Sequence, residues 1–237
     1  MTSLGSVFAS MMDAHRRAQR CAVRVRSHYD REYLRALRRA DEQQDSASLR
    51  SSGPNAASPG DAPHVTDIRV LIDGADRWRV ETRAADGTTH SVEGCDGTRR
   101  WILQDGVVRD SYESVGGERR RLPVETVWAA NRARTAREVL DPALVLPSIG
   151  ITSVSGVESR FGPATELTCT PRSTDITESA MVSPLANSVY LDVLTDSGFL
   201  VSARNVDEAG STLVAHDVIE LDVSPRFGPA DFTPPAR

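Results

Sequence analysis

The chain has no lysine. All 28 of its basic residues are arginine, which excludes Schiff-base chemistry and the phosphate-gripping lysine of P-loop enzymes. Aromatic residues make up only 5% of the sequence. No run approaches the roughly 18 consecutive apolar residues of a membrane-spanning helix, so none is predicted. The cysteines, Cys21, Cys95 and Cys169, stand alone and far apart. With no C-x-x-C pair and no Cys/His ligand spacing, no metal site is predicted, and the thiols are expected to be reduced and buried. Catalytic signatures are missing too: the sequence has no G-x-S-x-G elbow, G-x-G-x-x-G loop, Walker loop or H-E-x-x-H helix. The histidines, His15, His28, His64, His90 and His216, are scattered without ligand spacing, so no catalytic residue and no cofactor is assigned. Met1 to Asp13 has no arginine ahead of its apolar residues and no unbroken apolar core. Those are the parts of a secretory signal, so a cytoplasmic location is expected.

What is present fits a folded chain. Its 237 residues, 39% apolar and 26% charged, exclude a wholly disordered or fibrous protein. A net charge of −5 argues against a surface that coats nucleic acid. The charge is uneven: residues 1–40 hold nine arginines against Asp13, Asp30 and Glu32, a net +6, whereas the remainder is strongly acidic. Arg16, Arg17, Arg20, Arg24, Arg26, Arg35, Arg38 and Arg39 are candidates for contact with an acidic protein partner or a lipid headgroup. No nucleic-acid motif accompanies them.

Periodicity supplies the architecture. Leu4, Phe8, Met11, Met12 and His15 fall on one stripe of a helix over 4–19, after which Cys21, Val23 and Val25 alternate with Arg24 and Arg26 in a strand over 21–29. Residues 41–64 contain no aromatic, Val or Ile but five Ser, three Pro and two Gly, and are read as a flexible insertion. Asp73-Gly74, Asp86-Gly87, Asp96-Gly97 and Asp105-Gly106 recur at hairpin spacing, with alternating segments between them. An antiparallel meander over 65–72, 77–84, 88–93, 98–104 and 107–112 follows. Pro123 opens a helix to about 140, ended by Asp141-Pro142, with Val124, Val127, Trp128, Asn131 and Thr135 on one side. Strands are predicted again near 149–157, 164–170, 187–195, 199–206 and 211–222. The predicted fold is α+β and occupies 1–237 as one domain: a curved antiparallel sheet of about eleven strands, an incomplete barrel, covered by two or three helices.

Asp76-Arg77-Trp78-Arg79, Cys95-Asp96-Gly97-Thr98-Arg99-Arg100-Trp101 and the closing Asp231-Phe232-Thr233-Pro234-Pro235 resemble the aromatic strand, the DG-x-x-x-W hairpin and the terminal F-x-x-P-P of the LolA/RseB-like superfamily of lipoprotein carriers and lipid-binding proteins. The resemblance implies an open half-barrel whose apolar inner face accepts acyl chains. It makes Trp78, Val80, Trp101, Leu103 and Trp128 the candidate ligand-binding residues. The expected function is non-catalytic binding of a lipophilic small molecule. The alternatives are a regulatory module that grips a protein partner and a cyclase- or isomerase-type enzyme acting on a hydrophobic substrate. A buried Asp, Glu or His in the cavity would point to the enzyme, and uniformly apolar walls to binding alone.

Overall fold

The computed structural model describes residues 3–36, 64–74, 76–84, 86–104, 106–110, 113–115, 118–120, 133–172 and 179–234. The expected insertion at 41–64, His64 excepted, lies outside the described residues, as do Trp128 and the expected helix up to residue 132.

Helix α1 (Leu4–Arg17) begins where the Ser3 side chain accepts the Ser6 N–H, replacing one of the donors a helix start leaves unpaired. Its buried stripe is Val7, Met11 and Ala14, rotated from the expected one: Leu4 is 39% and Met12 56% exposed, and His15 faces solvent. Close approach selects this face. Gly198, at φ +76°, lies so near the helix that a Cβ there would stand 2.1 Å from the Ser10 carbonyl oxygen. The small Ala14 side and the glycine turn let helix and sheet meet.

Among the described residues there are thirteen strands, all but β7 and β8 at predicted positions: β1 (Arg20–Tyr29), β2 (His64–Asp73), β3 (Arg77–Ala84), β4 (Thr89–Asp96), β5 (Arg100–Gln104), β6 (Val107–Asp110), β7 (Glu113–Val115), β8 (Glu118–Arg120), β9 (Ile149–Ser159), β10 (Gly162–Pro171), β11 (Ser188–Leu194), β12 (Leu200–Val206) and β13 (Thr212–Asp222). Eleven of them form one sheet in the order β6-β5-β4-β3-β2-β1-β13-β12-β11-β10-β9, and β7 and β8 pair separately. Each of these ladders is antiparallel. The end strands β6 and β9 are not neighbours, so the sheet stays open. Register shifts at Arg24/Val25, Thr82/Arg83, Thr168/Cys169, Asp192/Val193 and Asn205/Val206 place bulges that add twist and bend.

Alternation divides the sheet into two faces. On the inner face Cys21, Val23, Val25, Val70, Ile72, Trp78, Val80, Leu167, Leu191 and Ala203 are buried in one apolar cluster with α1, helix α2 (Arg134–Leu140) and a 3-10 segment over Pro142–Ser148. Helix α2 stops ahead of Asp141-Pro142 as predicted. The 3-10 continuation carries no periodic signal in the sequence. The three cysteines are free and buried, and burial pushes the thiols of Cys21 and Cys169 up to about 12.

Two glycines with the same backbone separate close approach from backbone strain. At Gly210 (φ +81°) a Cβ would meet nothing within 4 Å, unlike at Gly198. Gly210→Ala is expected to cost about 1 kcal/mol and Gly198→Ala about 2–4 kcal/mol in urea unfolding. Equal losses would mean that α1 does not press on the β11–β12 turn.

Candidate functional site

Of the candidate ligand-binding residues, Trp128 lies outside the described residues, and the structure separates the other four, Trp78, Val80, Trp101 and Leu103, instead of gathering them. Trp78 stands opposite Cys95 in the β3–β4 ladder, whereas Trp101 stands opposite Gly94 in the β4–β5 ladder. Adjacent positions on β4 point to opposite faces, so the two indoles lie on opposite sides of the sheet. Trp78 and Val80 are packed in the inner core. Trp101, fully buried on the outer side, lies over Gly94, where a Cβ would come within 2.7 Å of its ring. Its Nε1–H donates to the Phe232 carbonyl at 2.9 Å. Phe232 packs with Ala22, Leu71 and Phe227 on that outer side. The closing Phe-x-Pro stretch is thus a strap over the back of the sheet. Leu103, half-buried, shares the Trp101 side. One cavity lined by both strand tryptophans is therefore not formed, because the period-2 alternation separates them.

The arginine-rich start is largely engaged with the chain's own acids. Arg16 pairs with Asp13 and Arg20 with Asp73, and Arg17 donates to the Asp196 carbonyl. Arg24 grips Asp67 through two bonds of 2.6 and 2.8 Å, with Arg26 adding a third at 3.1 Å. Burial would raise the Asp67 carboxyl, but the two guanidiniums outweigh it and hold it below the usual carboxylate range. The outer face continues this ladder through Arg69–Glu220 and through Arg79 and Arg83 on Glu81. Arg35 is exposed, and Arg38 and Arg39 lie outside the described residues. Asp192, raised by burial and by the nearby Glu166, faces Ser202 across β11–β12.

A cleft of about 280 Å³ opens where the inner face turns polar. Along β1 the inward side chains run Cys21, Val23, Val25, then Ser27 and Tyr29. Ser27 stands opposite His216 of β13, and its Oγ shares a 2.7 Å hydrogen bond with His216 Nδ1. The Tyr29 ring lies edge-on to His216 at 5.9 Å. The far wall is the loop over 179–185, held by two buried polar side chains. Glu138 accepts from Ser179 Oγ and from the N–H groups of Ala180 and Met181 at 2.8–2.9 Å. Asn205 accepts from Ser183 N–H at 2.7 Å and donates to the Met181 carbonyl at 2.9 Å. Tyr29, Tyr33, Arg134, Val182, Val214 and His216 are among the residues that line the cleft. Beyond Tyr33 lies a second cleft of about 420 Å³ with Asp30, Glu32 and Asp207 in its wall.

Burial, with a smaller contribution from His28, depresses His216 to about 4, so its imidazole is neutral at physiological pH. Burial raises Glu138, against the pull of the Ala180 N–H and Ser179. Among the described residues no group of three or more His, Cys, Asp or Glu is placed to hold a metal, and no helix is long and apolar enough to cross a membrane. His216 is buried and the neighbouring Asp217 exposed on β13, so the two point to opposite faces and form no dyad. Sequence reasoning missed Ser27, which lies 189 positions away and becomes a partner only through the β1–β13 register.

No family model matches the chain, and no curated protein matches its sequence. Solved structures similar to this chain include MucB, the lipoprotein LppX and a LolA superfamily protein, all at low identity. MucB is 13% identical with a TM-score of 0.48, the match covering 98% of this chain and 62% of MucB, so the chain spans about three fifths of MucB's length. The Mycobacterium tuberculosis lipoprotein LppX is 9% identical (TM-score 0.43; 95% of this chain, 99% of LppX). A LolA superfamily protein from Nitrosomonas europaea is 11% identical (TM-score 0.34; 99% of each chain).

Trp101→Ala removes a fully buried ring and its hydrogen bond to the strap, and is expected to cost about 3–5 kcal/mol in urea unfolding. A loss below about 1 kcal/mol would mean that the ring is not part of the packing. His216 carries a pH dependence whose sign follows from its depressed value. The unfolded chain takes up the proton near 6.5 and the folded chain only near 4, so the stability it contributes is complete above 6.5 and lost as pH falls toward 4. The loss amounts to about 3 kcal/mol. Urea titrations at pH 7 and pH 4 should show His216→Gln losing less stability than the wild type over that interval. An equal loss would contradict a buried neutral imidazole.

Proposed function

We propose that the protein is a non-catalytic binder of a lipophilic small molecule and that the cleft beneath Tyr33 holds it. The observation that carries this reading is the composition of the cleft wall. Val182, Pro184, Val214 and two tyrosine rings supply apolar and aromatic surface around a few fixed polar groups, the usual make-up of a small-molecule site. Rigidity supports it as well, because Glu138 and Asn205 fix the 179–185 loop and little order has to be imposed on binding.

A second reading, an enzyme acting on a hydrophobic substrate, draws on His216 in the same wall. An imidazole that stays neutral down to about pH 4 is a weak base for chemistry near neutrality. Its hydrogen-bond partner Ser27 is buried, so it presents no nucleophile to a guest.

Calorimetric titration with fatty acids of increasing length tests the proposal. Each further buried methylene contributes about 0.8 kcal/mol, roughly fourfold in Kd, until the cleft is full. Ala180, half-buried in the cleft wall, is the place to block it: Ala180→Phe should weaken binding at least tenfold. Absence of binding at every chain length, or unaltered binding by Ala180→Phe, would refute the cleft as the site. Turnover of a bound guest that disappears in His216→Gln would establish the enzyme instead.

A further inference from the structure

We infer that the guest of this cleft carries an oxyanion, a carboxylate or a phosphate, and that Arg134 is the residue that takes it. The inference rests on the cleft being the binding site and specifies the chemical class of its ligand. Arg134 lines the cleft with its side chain 26% exposed, and its ion pair is a loose one, Nη2 to Glu138 Oε1 at 3.9 Å. Glu138 does not depend on that contact, because Ser179 Oγ and the Ala180 and Met181 N–H groups already donate to its oxygens. Among the described residues most of the guanidinium's five donors are therefore left for a second acceptor, and a planar fork suits a two-oxygen anion.

The remaining charges fix which way such a guest lies. Among the described residues that line the cleft, Arg134 and His216 are the ionisable side chains besides the tyrosines. With His216 neutral, Arg134 is the cation of this wall. On the other side of Tyr33 the neighbouring cleft presents Asp30, Glu32 and Asp207, which repel an anion. An amphiphile with a negative head is therefore driven to set that head at Arg134 and its apolar part along Val182, Pro184 and Val214. A cationic amphiphile would be driven the opposite way, and a neutral one would have no preferred direction.

The test compares decanoate with decanol, equal in chain length and different in charge, below their aggregation limits at pH 7.5, using the full chain. The wild type should bind decanoate at least tenfold more tightly than decanol. Arg134→Gln should bring decanoate down to the affinity of decanol, and Arg134→Lys should retain part of the preference. Equal affinities in the wild type, or a preference that survives Arg134→Gln, overturn the inference while leaving the cleft as a lipophile site. If neither compound binds, the cleft reading fails and inorganic phosphate decides. Phosphate bound by the wild type and not by Arg134→Gln, at matched ionic strength in chloride, assigns Arg134 to a free anion. Phosphate binding that is absent or indifferent to Arg134 overturns the inference. Should Arg134→Gln fail to fold, the decanoate preference in Arg134→Lys at low and high salt serves in its place, and a salt-independent preference counts against the role.

Discussion

Strand β1 is the seam of the molecule. Its ten residues pair along one edge with β2, and eight of them, from Ala22 to Tyr29, pair along the other with β13, joining two meanders that are far apart in sequence. Without it the sheet would divide into a β2–β6 half and a β9–β13 half, each with a long unpaired edge, and unpaired edges expose backbone donors and acceptors that demand a partner. Everything placed across the seam depends on that double pairing. On the inner face it sets Ser27 against His216, and on the outer face it sets Arg24 against Arg69 of β2 on one side and Glu220 on the other, with Asp67 within reach of its guanidinium.

The two faces are stabilised by different physics. The inner one is an apolar core closed by α1, α2 and the 3-10 segment. The outer one is a row of arginine–carboxylate pairs finished by an aromatic strap, with Arg77 4.7 Å from the Phe232 ring centroid and Arg79 5.8 Å from that of Trp101. Exposed pairs of this kind contribute little each. Asp67 and Glu81 are different, because they are buried and each serves two guanidiniums. Removing one partner there would strand a charge away from water, which costs far more than the pair contributes. The chain's basic start is thus tied to the sheet from within.

The strands were legible because their signals are local. Alternation at Cys21–Arg26 and Arg77–Arg83 and the turn chemistry of Asp-Gly need only a few neighbouring residues, and each described glycine of those pairs takes the positive φ expected of it. The face on which α1 is buried was legible only in part: Met11 and Phe8 pack on the core as expected, whereas Leu4 and Met12 do not. Leu4 and Met12 are as apolar as Val7 and Ala14, and the choice is made by the distant Gly198 turn. The same limit applies to the tryptophans. Alternation within one strand was readable, but the register between β3, β4 and β5 decides that Trp78 and Trp101 part company. The cleft was the least legible of all, since its walls come from β1, α2, the 179–185 loop and β13.

That non-local assembly also bears on the kind of chemistry the cleft suits. Its polar side chains are mostly occupied with structure: Ser27 with His216, Ser179 with Glu138, Asn205 with the loop backbone. A catalytic group must change its bonding during a reaction, whereas these groups hold the walls still and would release a loop or a strand end if they did so. Arg134 differs from them, being attached to the fold by its stem on α2 and only loosely by its charge. Among the described residues, a wall whose other polar groups are tied into the fold while Arg134 is held loosely fits the proposed role of that cation, receiving a guest and orienting it.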